Sequence, residues 1–321
     1  MLLLYIFLFL ISSILLYFSG QLVVGSLMRI ARFLHWREFV VAFFIMSVAT
    51  SLPNFFLGVS VALQKIPQLS LGDILGGNVV DLTLAIGLAA LVAKKGIPAE
   101  SRAIQATSIF TIAAAILPII FIFDGTISRF DGVLLISFFF LYAIWLFSGK
   151  ERFTKVYDGI ENFSLIRELK NFFIDLIKII IGVAILLLAT QGIILSAKFF
   201  AQNFNLSLVM VGAVVVGLGN ALPETYLSFL YAKKNETWMI LGNLMGSVIV
   251  ATTLVLGLVA LISPIHISDV SAFAIAKIFT IISALFFFFS VRTEHKITKR
   301  EGFLLVFTYV LFLVVEILIK K

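Results

Sequence analysis

Residues 41–91 read VAFFIMSVATSLPNFFLGVSVALQKIPQLSLGDILGGNVVDLTLAIGLAAL, and residues 211–261 read VGAVVVGLGNALPETYLSFLYAKKNETWMILGNLMGSVIVATTLVLGLVAL. Set one above the other at a displacement of 170 residues, they agree without a gap at 15 of 51 positions. Leu52-Pro53 falls on Leu222-Pro223, Leu71-Gly72 on Leu241-Gly242, Gly76 on Gly246, Thr83-Leu84 on Thr253-Leu254, and Gly87-Leu88 on Gly257-Leu258. Apolar bias alone aligns leucine with leucine, but it does not bring a proline and three glycines into register. The chain therefore carries one unit twice. At the same displacement Gln21 meets Gln191, Ser26 meets Ser196 and Ala31 meets Ala201, which extends the unit toward the start of each half.

The surrounding composition says where this unit lives. The chain has 321 residues, 61% of them hydrophobic and 13% charged, with a mean hydropathy of +1.15. A soluble domain is nearer half apolar and a quarter charged, so a water-soluble enzyme is excluded. At about 20 residues per crossing the chain holds about ten membrane helices and short loops. Apolar stretches fall near 2–28, 40–63, 71–93, 104–123, 131–148, 173–199, 207–231, 238–262, 271–291 and 303–319. The first has no basic segment before it and no small-residue cleavage site after it, so it reads as a retained helix and not as a signal peptide. Cysteine is absent, which excludes disulfides, thiolate metal sites and cysteine nucleophiles.

The basic residues set an orientation. With the N-terminus outside, 18 of the 24 Lys and Arg residues fall in inside loops, as cytoplasmic loops require. An even number of spans then leaves both termini extracellular, in the cell membrane. The net charge of +7 belongs to these loops and does not call for nucleic acid. The expected division is a first five-helix half, 1–148, containing a repeat at 41–92. A charge-mixed cytoplasmic linker, 149–172, follows, and then a second half, 173–321, with its repeat at 211–262. Five is odd, so the second half enters the bilayer from the opposite side. The fold class expected is all-α integral membrane, ten transmembrane helices in two inverted-topology five-helix repeats. That architecture belongs to secondary transporters, whose ion sites lie near the midplane where broken helices of the two halves meet.

Polar residues mark the breaks. The second span reads SVATSLPNFFLGVS over 47–60, and Thr50, Ser51 and Asn54 surround Pro53. Proline donates no hydrogen bond and frees a carbonyl one turn earlier, which needs a new partner in lipid; an ion is one. The seventh span repeats this over 217–228 as GLGNALPETYLS, with Asn220, Pro223, Glu224 and Thr225. In the third span Asn78 and Asp81 are three apart and share a helix face. The eighth carries Asn243, Ser247, Thr252 and Thr253. Asp81 and Glu224 lie deep in their spans with no Lys or Arg in the same span. A charge at that depth costs at least about 2.5–3.5 kcal/mol, and such acids pair, bind ions or relay protons. Hydroxyls, amides, freed carbonyls and carboxylates are hard oxygen ligands suited to Ca²⁺, Na⁺ or Mg²⁺. Ser60, Thr107, Thr111 and Ser283 read as helix-packing contacts. Asp73 and Asn243, at the start of their spans, read as helix N-caps in preference to the other role open to them, lining an access path. His35, His266 and His295 fall in loops or at interfaces, which argues against a buried histidine relay.

These residues resemble the cation/calcium exchanger superfamily, of the prokaryotic sodium/calcium exchanger type. That family pairs a G-T-S-L-P-E stretch on one helix with G-N-x-x-G-S-N-x-x-N/D on the next, twice. Thr50, Ser51, Leu52 and Pro53 match the first stretch, with Ala49 in the glycine position and Asn54 in the glutamate position. Gly72, Gly76 and Asn78 match the second. Asp73 replaces its first asparagine, Gly77 its serine, and Asp81 fills the Asn/Asp position. In the other copy Gly219, Leu222, Pro223, Glu224, Gly242, Asn243, Gly246 and Ser247 match. Asn220-Ala221 replaces Thr-Ser, Val248 the asparagine, and Ala251 occupies the Asn/Asp position. By this resemblance the four central ligand positions are Asn54, Asp81, Glu224 and Ala251. Related exchangers commonly hold three acids there and this chain holds two. The family implies alternating-access exchange, with long first and sixth helices sliding against an eight-helix core.

The expected function is a secondary antiporter moving Ca²⁺ against Na⁺, with Thr50, Ser51, Asn54, Asn78, Asp81, Asn220, Glu224 and Ser247 as ion ligands. It needs no cofactor, no nucleic acid and no oligomer, and its partners are Ca²⁺, Na⁺ and the lipid bilayer. Two ionised carboxylates are neutralised by one Ca²⁺ or two Na⁺, whereas a third Na⁺ leaves an unfavourable charge in a low-dielectric site. Electroneutral exchange is therefore expected. A proton-coupled cation exchanger is the alternative, with Glu224 taking a proton in place of Na⁺. An intramembrane acid protease needs two carboxyls sharing a proton, and the flanking prolines and hydroxyls suit ion ligation better. A channel is distinguished by flux that neither saturates nor needs a counter-ion.

Overall fold

The computed structural model describes residues 1–33, 46–148, 165–234, 237–267 and 270–318. Helices account for nearly all of it. They are α1 (Leu2–Phe33), α2 (Met46–Thr50), α3 (Leu52–Leu63), α4 (Gln68–Val79), α5 (Ile86–Val92), α6 (Arg102–Phe121), α7 (Arg129–Ser148), α8 (Leu165–Asn203), α9 (Leu208–Met210), α10 (Gly217–Lys234), α11 (Trp238–Ile249), α12 (Leu256–Ile262), α13 (Val270–Arg292) and α14 (Lys299–Leu318). Wide π-type turns at Val80–Ala85, Val211–Val216 and Val250–Val255 join α4 to α5, α9 to α10 and α11 to α12.

Among the described residues nine helical segments are long and apolar enough to cross a membrane. The span expected over 40–63 is described from Met46 onward, as α2 and the shorter apolar α3; its first six residues lie outside the described region. Of the expected linker, 149–164 lies outside as well, and α8 already begins at Leu165. The segments Gln68–Val92 and Met239–Ile262 are each 78% buried, against 17% for Leu2–Leu27 and 22% for Asn171–Asn203. The α4–α5 and α11–α12 segments therefore form the centre, and α1 and α8 lie at the periphery. Exposed Phe, Leu and Ile side chains on α1, α7, α8 and α14 form the apolar face that a multi-pass protein turns to lipid.

The sequence displacement recurs in the structure. α4, the π turn after it, α5, and α7 begin and end 170 residues before α11, its π turn, α12 and α14. The packing is reciprocal too. Gly87 of α5 abuts the Gly302 carbonyl of α14, and Gly257 of α12 abuts the Gly132 carbonyl of α7. Glycine serves here because helices in a bilayer associate by close backbone approach. Two short antiparallel strand pairs cross between the halves. β1 (Ile97–Pro98) pairs with β4 (Lys296–Ile297), and β2 (Thr126–Ile127) with β3 (Ile265–His266).

α1 and α8 pack along each other. Tyr5 stacks on Phe199 at 4.0 Å between ring centres. Toward the other end Arg29 donates from Nε and Nη2 to Asp175 at 2.9 and 2.7 Å, and Nη2 also donates to Ser26 Oγ at 2.9 Å. A fork-shaped guanidinium pair of this kind fixes geometry as well as charge.

Candidate ion-binding site

The broken helices face one another. α2 ends at Thr50 and α3 begins at Leu52, with Pro53 in its first turn. Pro223 lies inside α10. Neither proline donates, so the carbonyls of residues 49 and 219 lose their helical partners. The π turn at Val80–Ala85 opens with Asp81 in its first turn. Such turns disturb the regular ladder and are frequent at functional sites.

α10 packs against α4 and against the turn that carries Asp81. This brings Asn220 and Glu224 from the second copy to Asn78 and Asp81 from the first. All four are buried, with Asp81 5% and Glu224 4% exposed. Asp81 Oδ1 and Glu224 Oε2 have no hydrogen-bond partner. Among the described residues the ion pairs involve Asp175 and Glu294 only, so no Lys, Arg or His neutralises either acid. Asp81 lies within the Coulomb field of both Glu224 and Asp73. Unpaired buried carboxylates repel one another and lack solvation, so an ionised pair here needs a positive partner or a proton. No three His, Cys, Asp or Glu side chains cluster as a ready metal cage among the described residues. A cation here depends on amides, hydroxyls and carbonyls as well.

Around these residues, side-chain hydrogen bonds join the repeat at 41–91 to the repeat at 211–261. Asn78 Nδ2 donates to Thr252 Oγ1 at 2.9 Å. Asn220 Nδ2 donates to Asp73 Oδ1 at 2.9 Å. Thr50 Oγ1 has one proton to share between Asn243 Oδ1 at 3.4 Å and the Ser47 carbonyl at 3.2 Å. Thr50 and Asn220 occupy equivalent positions in the repeat, as do Asn243 and Asp73, so the last two bonds are counterparts. Ser51 is buried, and its hydroxyl donates to the Ser47 carbonyl at 2.8 Å. Ser247 is buried in α11. Asn54 is only partly buried and takes part in none of the cross-copy bonds. Ala251, its neighbour by family position, is a buried core residue.

A cleft of about 210 Å³ opens between α1 and these helices. Thr50, Pro53, Asn220, Pro223 and Glu224 line it, with Tyr17, Gln21 and Gly25 from α1. Of the expected ligands, Thr50, Asn220 and Glu224 reach this cleft, while Ser51, Asn54, Asn78, Asp81 and Ser247 do not line it.

Two residues correct the sequence reading. Asp73 and Asn243 are not N-caps. α4 starts at Gln68 behind Pro67, and α11 at Trp238, which places both side chains in the second helical turn. They are 1% and 2% exposed, and Asp73 Oδ2 and Asn243 Nδ2 lack partners. Thr252, which holds Asn78, also went unrecognised as a site residue. For Asp73 and Asn243 the available signal was the repeat itself, which puts Asp73 over Asn243 and Thr50 over Asn220.

Comparison with known proteins identifies the family and agrees with the fold. The model of the sodium/calcium exchanger protein family matches residues 4–148 and 175–318. An uncharacterized membrane protein of Methanocaldococcus jannaschii is 30% identical over 240 residues, covering 74% of this chain and 76% of its own. The sodium/calcium exchanger MaX1 of Methanosarcina acetivorans is 23% identical over 326 residues, covering 91% and 92%. The solved structure of the sodium-calcium exchanger NCX_Mj, soaked with Na⁺ and Sr²⁺, superposes with a TM-score of 0.66 at 25% identity, over 98% of this chain and 99% of that one.

Proposed function

The chain belongs to the sodium/calcium exchanger protein family, and on that premise we propose that it is an antiporter exchanging Ca²⁺ for Na⁺ by alternating access. One observation carries the proposal. Asp81 and Glu224, from oppositely oriented copies, are buried together without a basic partner and with free carboxylate oxygens. Two ionised carboxylates buried side by side repel more strongly than in water, because the effective dielectric around them is lower. A cation removes that repulsion and supplies the missing partner. Thr50, Ser51, Asn54, Asn78, Asn220 and Ser247 complete the proposed ligand set with hydroxyl and amide oxygens, which hard cations prefer. Ca²⁺ and Na⁺ compete for the same two acids. A transporter that changes side only with those acids neutralised then couples the two fluxes.

The cleft beside α1 supports an access route to Glu224. The concentration of basic residues in alternate loops supports extracellular termini. Asn54 and Ala251, which bring no charge, favour a second reading in which a proton replaces Na⁺. Uptake that depends on pH and needs no Na⁺ selects it.

The decisive experiment is ⁴⁵Ca²⁺ uptake into Na⁺-loaded vesicles, comparing the native chain with Asp81→Asn and Glu224→Gln. Both variants are expected to lose uptake. Undiminished uptake in both removes the assigned site.

A further inference from the structure

The two copies hold α1 and α8 differently. At a displacement of 170 residues α3 corresponds to 222–233 of α10, and residues 16–28 of α1 correspond to 186–198 of α8. α3 meets α8 in a closed interface, where Leu57 and Val61 are buried in one apolar cluster with Ala189 and Ile193. Their counterparts on α10, Leu227 and Tyr231, instead line the cleft toward α1. Gly20 and Gly25 line it too, where α8 has the larger Thr190 and Leu195. The copies are inverted, so the closed interface and the cleft lie toward opposite faces of the bilayer.

Polar side chains fasten the closed interface at its end. Gln64, which follows the last residue of α3, donates from Nε2 to Gln191 Oε1 of α8 at 3.1 Å. Lys198, further along α8, donates from Nζ to Gln64 Oε1 at 2.7 Å. The repeat carries part of this arrangement to the cleft. Gln191 corresponds to Gln21, which lines the cleft and donates to the Tyr17 hydroxyl at 2.7 Å, leaving its amide oxygen to accept. Gln64 corresponds to Lys234, the last residue of α10, whose ammonium is a donor only. Lys234 forms no ion pair among the described residues. An acceptor and a donor therefore stand on the two helices that wall the cleft.

We propose that Gln64, Gln191 and Lys198 form a latch that holds α8 on α3 while the cleft beside α1 is open, and that Gln21 and Lys234 form the opposing latch when α1 closes on α10. The proposal rests on reading the chain as an alternating-access antiporter, and adds the side chains that hold one side shut while the other opens. In the second state Lys234 Nζ donates to Gln21 Oε1, and the bonds at Gln64 part. None of the five is a proposed ion ligand; they are positioning residues. Hydrogen bonds between exposed groups gain little over those each makes to water, so both latches can open in every cycle.

The chain has no cysteine, so Gln21→Cys with Lys234→Cys supplies its only two thiols. A bis-methanethiosulfonate with an ethane spacer joins them, forming two mixed disulfides and releasing two methanesulfinates. The rate of bridging is read from the intact mass of the full chain in proteoliposomes. Bridging is expected, and adding Gln64→Ala, at the opposite face, is expected to speed it about fivefold, the effect of about one net hydrogen bond on the equilibrium. Local damage at Gln64 without a latch does not reach the other face. No bridging, or a rate that Gln64→Ala leaves unchanged, overturns the proposal. If that variant does not fold, Lys198→Met, which installs the residue type of the other copy, takes its place under the same criterion. ⁴⁵Ca²⁺ uptake by the native chain separates the two readings. Bridging that responds to Gln64→Ala in a protein that carries no Ca²⁺ sinks the exchanger function and leaves the latches standing.

Discussion

Three glycine substitutions test the reciprocal packing of the two copies. A Cβ on Gly87 would stand 2.7 Å from the Gly302 carbonyl oxygen and 2.7 Å from Val306 Cγ2. A Cβ on Gly257, its counterpart, would stand 2.8 Å from the Gly132 carbonyl oxygen and 2.7 Å from Ile136 Cγ1. Comfortable carbon contacts begin at about 3.5 Å, so each helix pair must separate, and backbone does not yield as a side chain does. Overpacking of this kind costs up to about 3 kcal/mol, and alanine returns about 1 kcal/mol of helix propensity. The net loss is about 2 kcal/mol for Gly87→Ala and the same for Gly257→Ala. At about 2 °C per kcal/mol for a chain of this size, each variant should unfold about 4 °C earlier. Gly77→Ala is the control, because nothing lies within 4 Å of its added Cβ. It should be neutral or rise by about 2 °C. Tryptophan fluorescence during heating at one scan rate and in one detergent reads all three, since such unfolding is usually irreversible. Unequal losses at Gly87 and Gly257, or an equal loss at Gly77, would refute the symmetric packing.

Two further outcomes follow from the site. Thr252→Val keeps the shape but leaves Asn78 Nδ2 buried without its acceptor, a penalty of about 1–3 kcal/mol. If Asn78 is a ligand, ⁴⁵Ca²⁺ binding weakens by up to about 5-fold to 150-fold, the same 1–3 kcal/mol expressed as affinity; unchanged affinity takes Asn78 out of the set. Exchange of one Ca²⁺ for about two Na⁺ moves no net charge. Proteoliposomes under a Ca²⁺ gradient should therefore show ⁴⁵Ca²⁺ flux without a Na⁺-dependent current, and a robust current contradicts this stoichiometry.

Much of the fold was legible because membrane helices are specified twice. Hydropathy marks them once, and the 170-residue repeat marks them again. α4, α5 and α7 and their counterparts carry both signals, and the structure returns them at the same displacement. The ends of the spans were less legible. Hydropathy placed the third span at 71, but Pro67, with its fixed backbone angle, starts α4 at Gln68. Those three residues move Asp73 from the first turn, where a carboxylate caps, to the second, where it faces α10. Proline also predicted the break before α3, since Pro53 removes a donor from the ladder. The pairing of Asn78 with Thr252 was not legible, because it depends on how two distant helices are rotated against each other. No spacing along either helix encodes that rotation.

The arrangement of acids argues for an off-axis ion site. The repeat creates two equivalent interfaces: α10 against α4 and its π turn, and α2–α3 against α11 and its π turn. At the first interface stand Asp73, Asp81, Asn220 and Glu224. At the second stand their counterparts Asn243, Ala251, Thr50 and Asn54, none of them acidic. A divalent cation centred between the interfaces would leave part of its charge facing groups that cannot neutralise it. Moving the cation toward α10 shortens its distance to Asp81 and Glu224, and Coulomb energy grows as that distance shrinks. Symmetric helices supply a scaffold that rocks about a fixed centre, while the unsymmetric side chains decide where along it the charge rests. Asn54 and Ala251 are therefore departures from the family pattern with a direction: acidity is absent from one interface and gathered at the other.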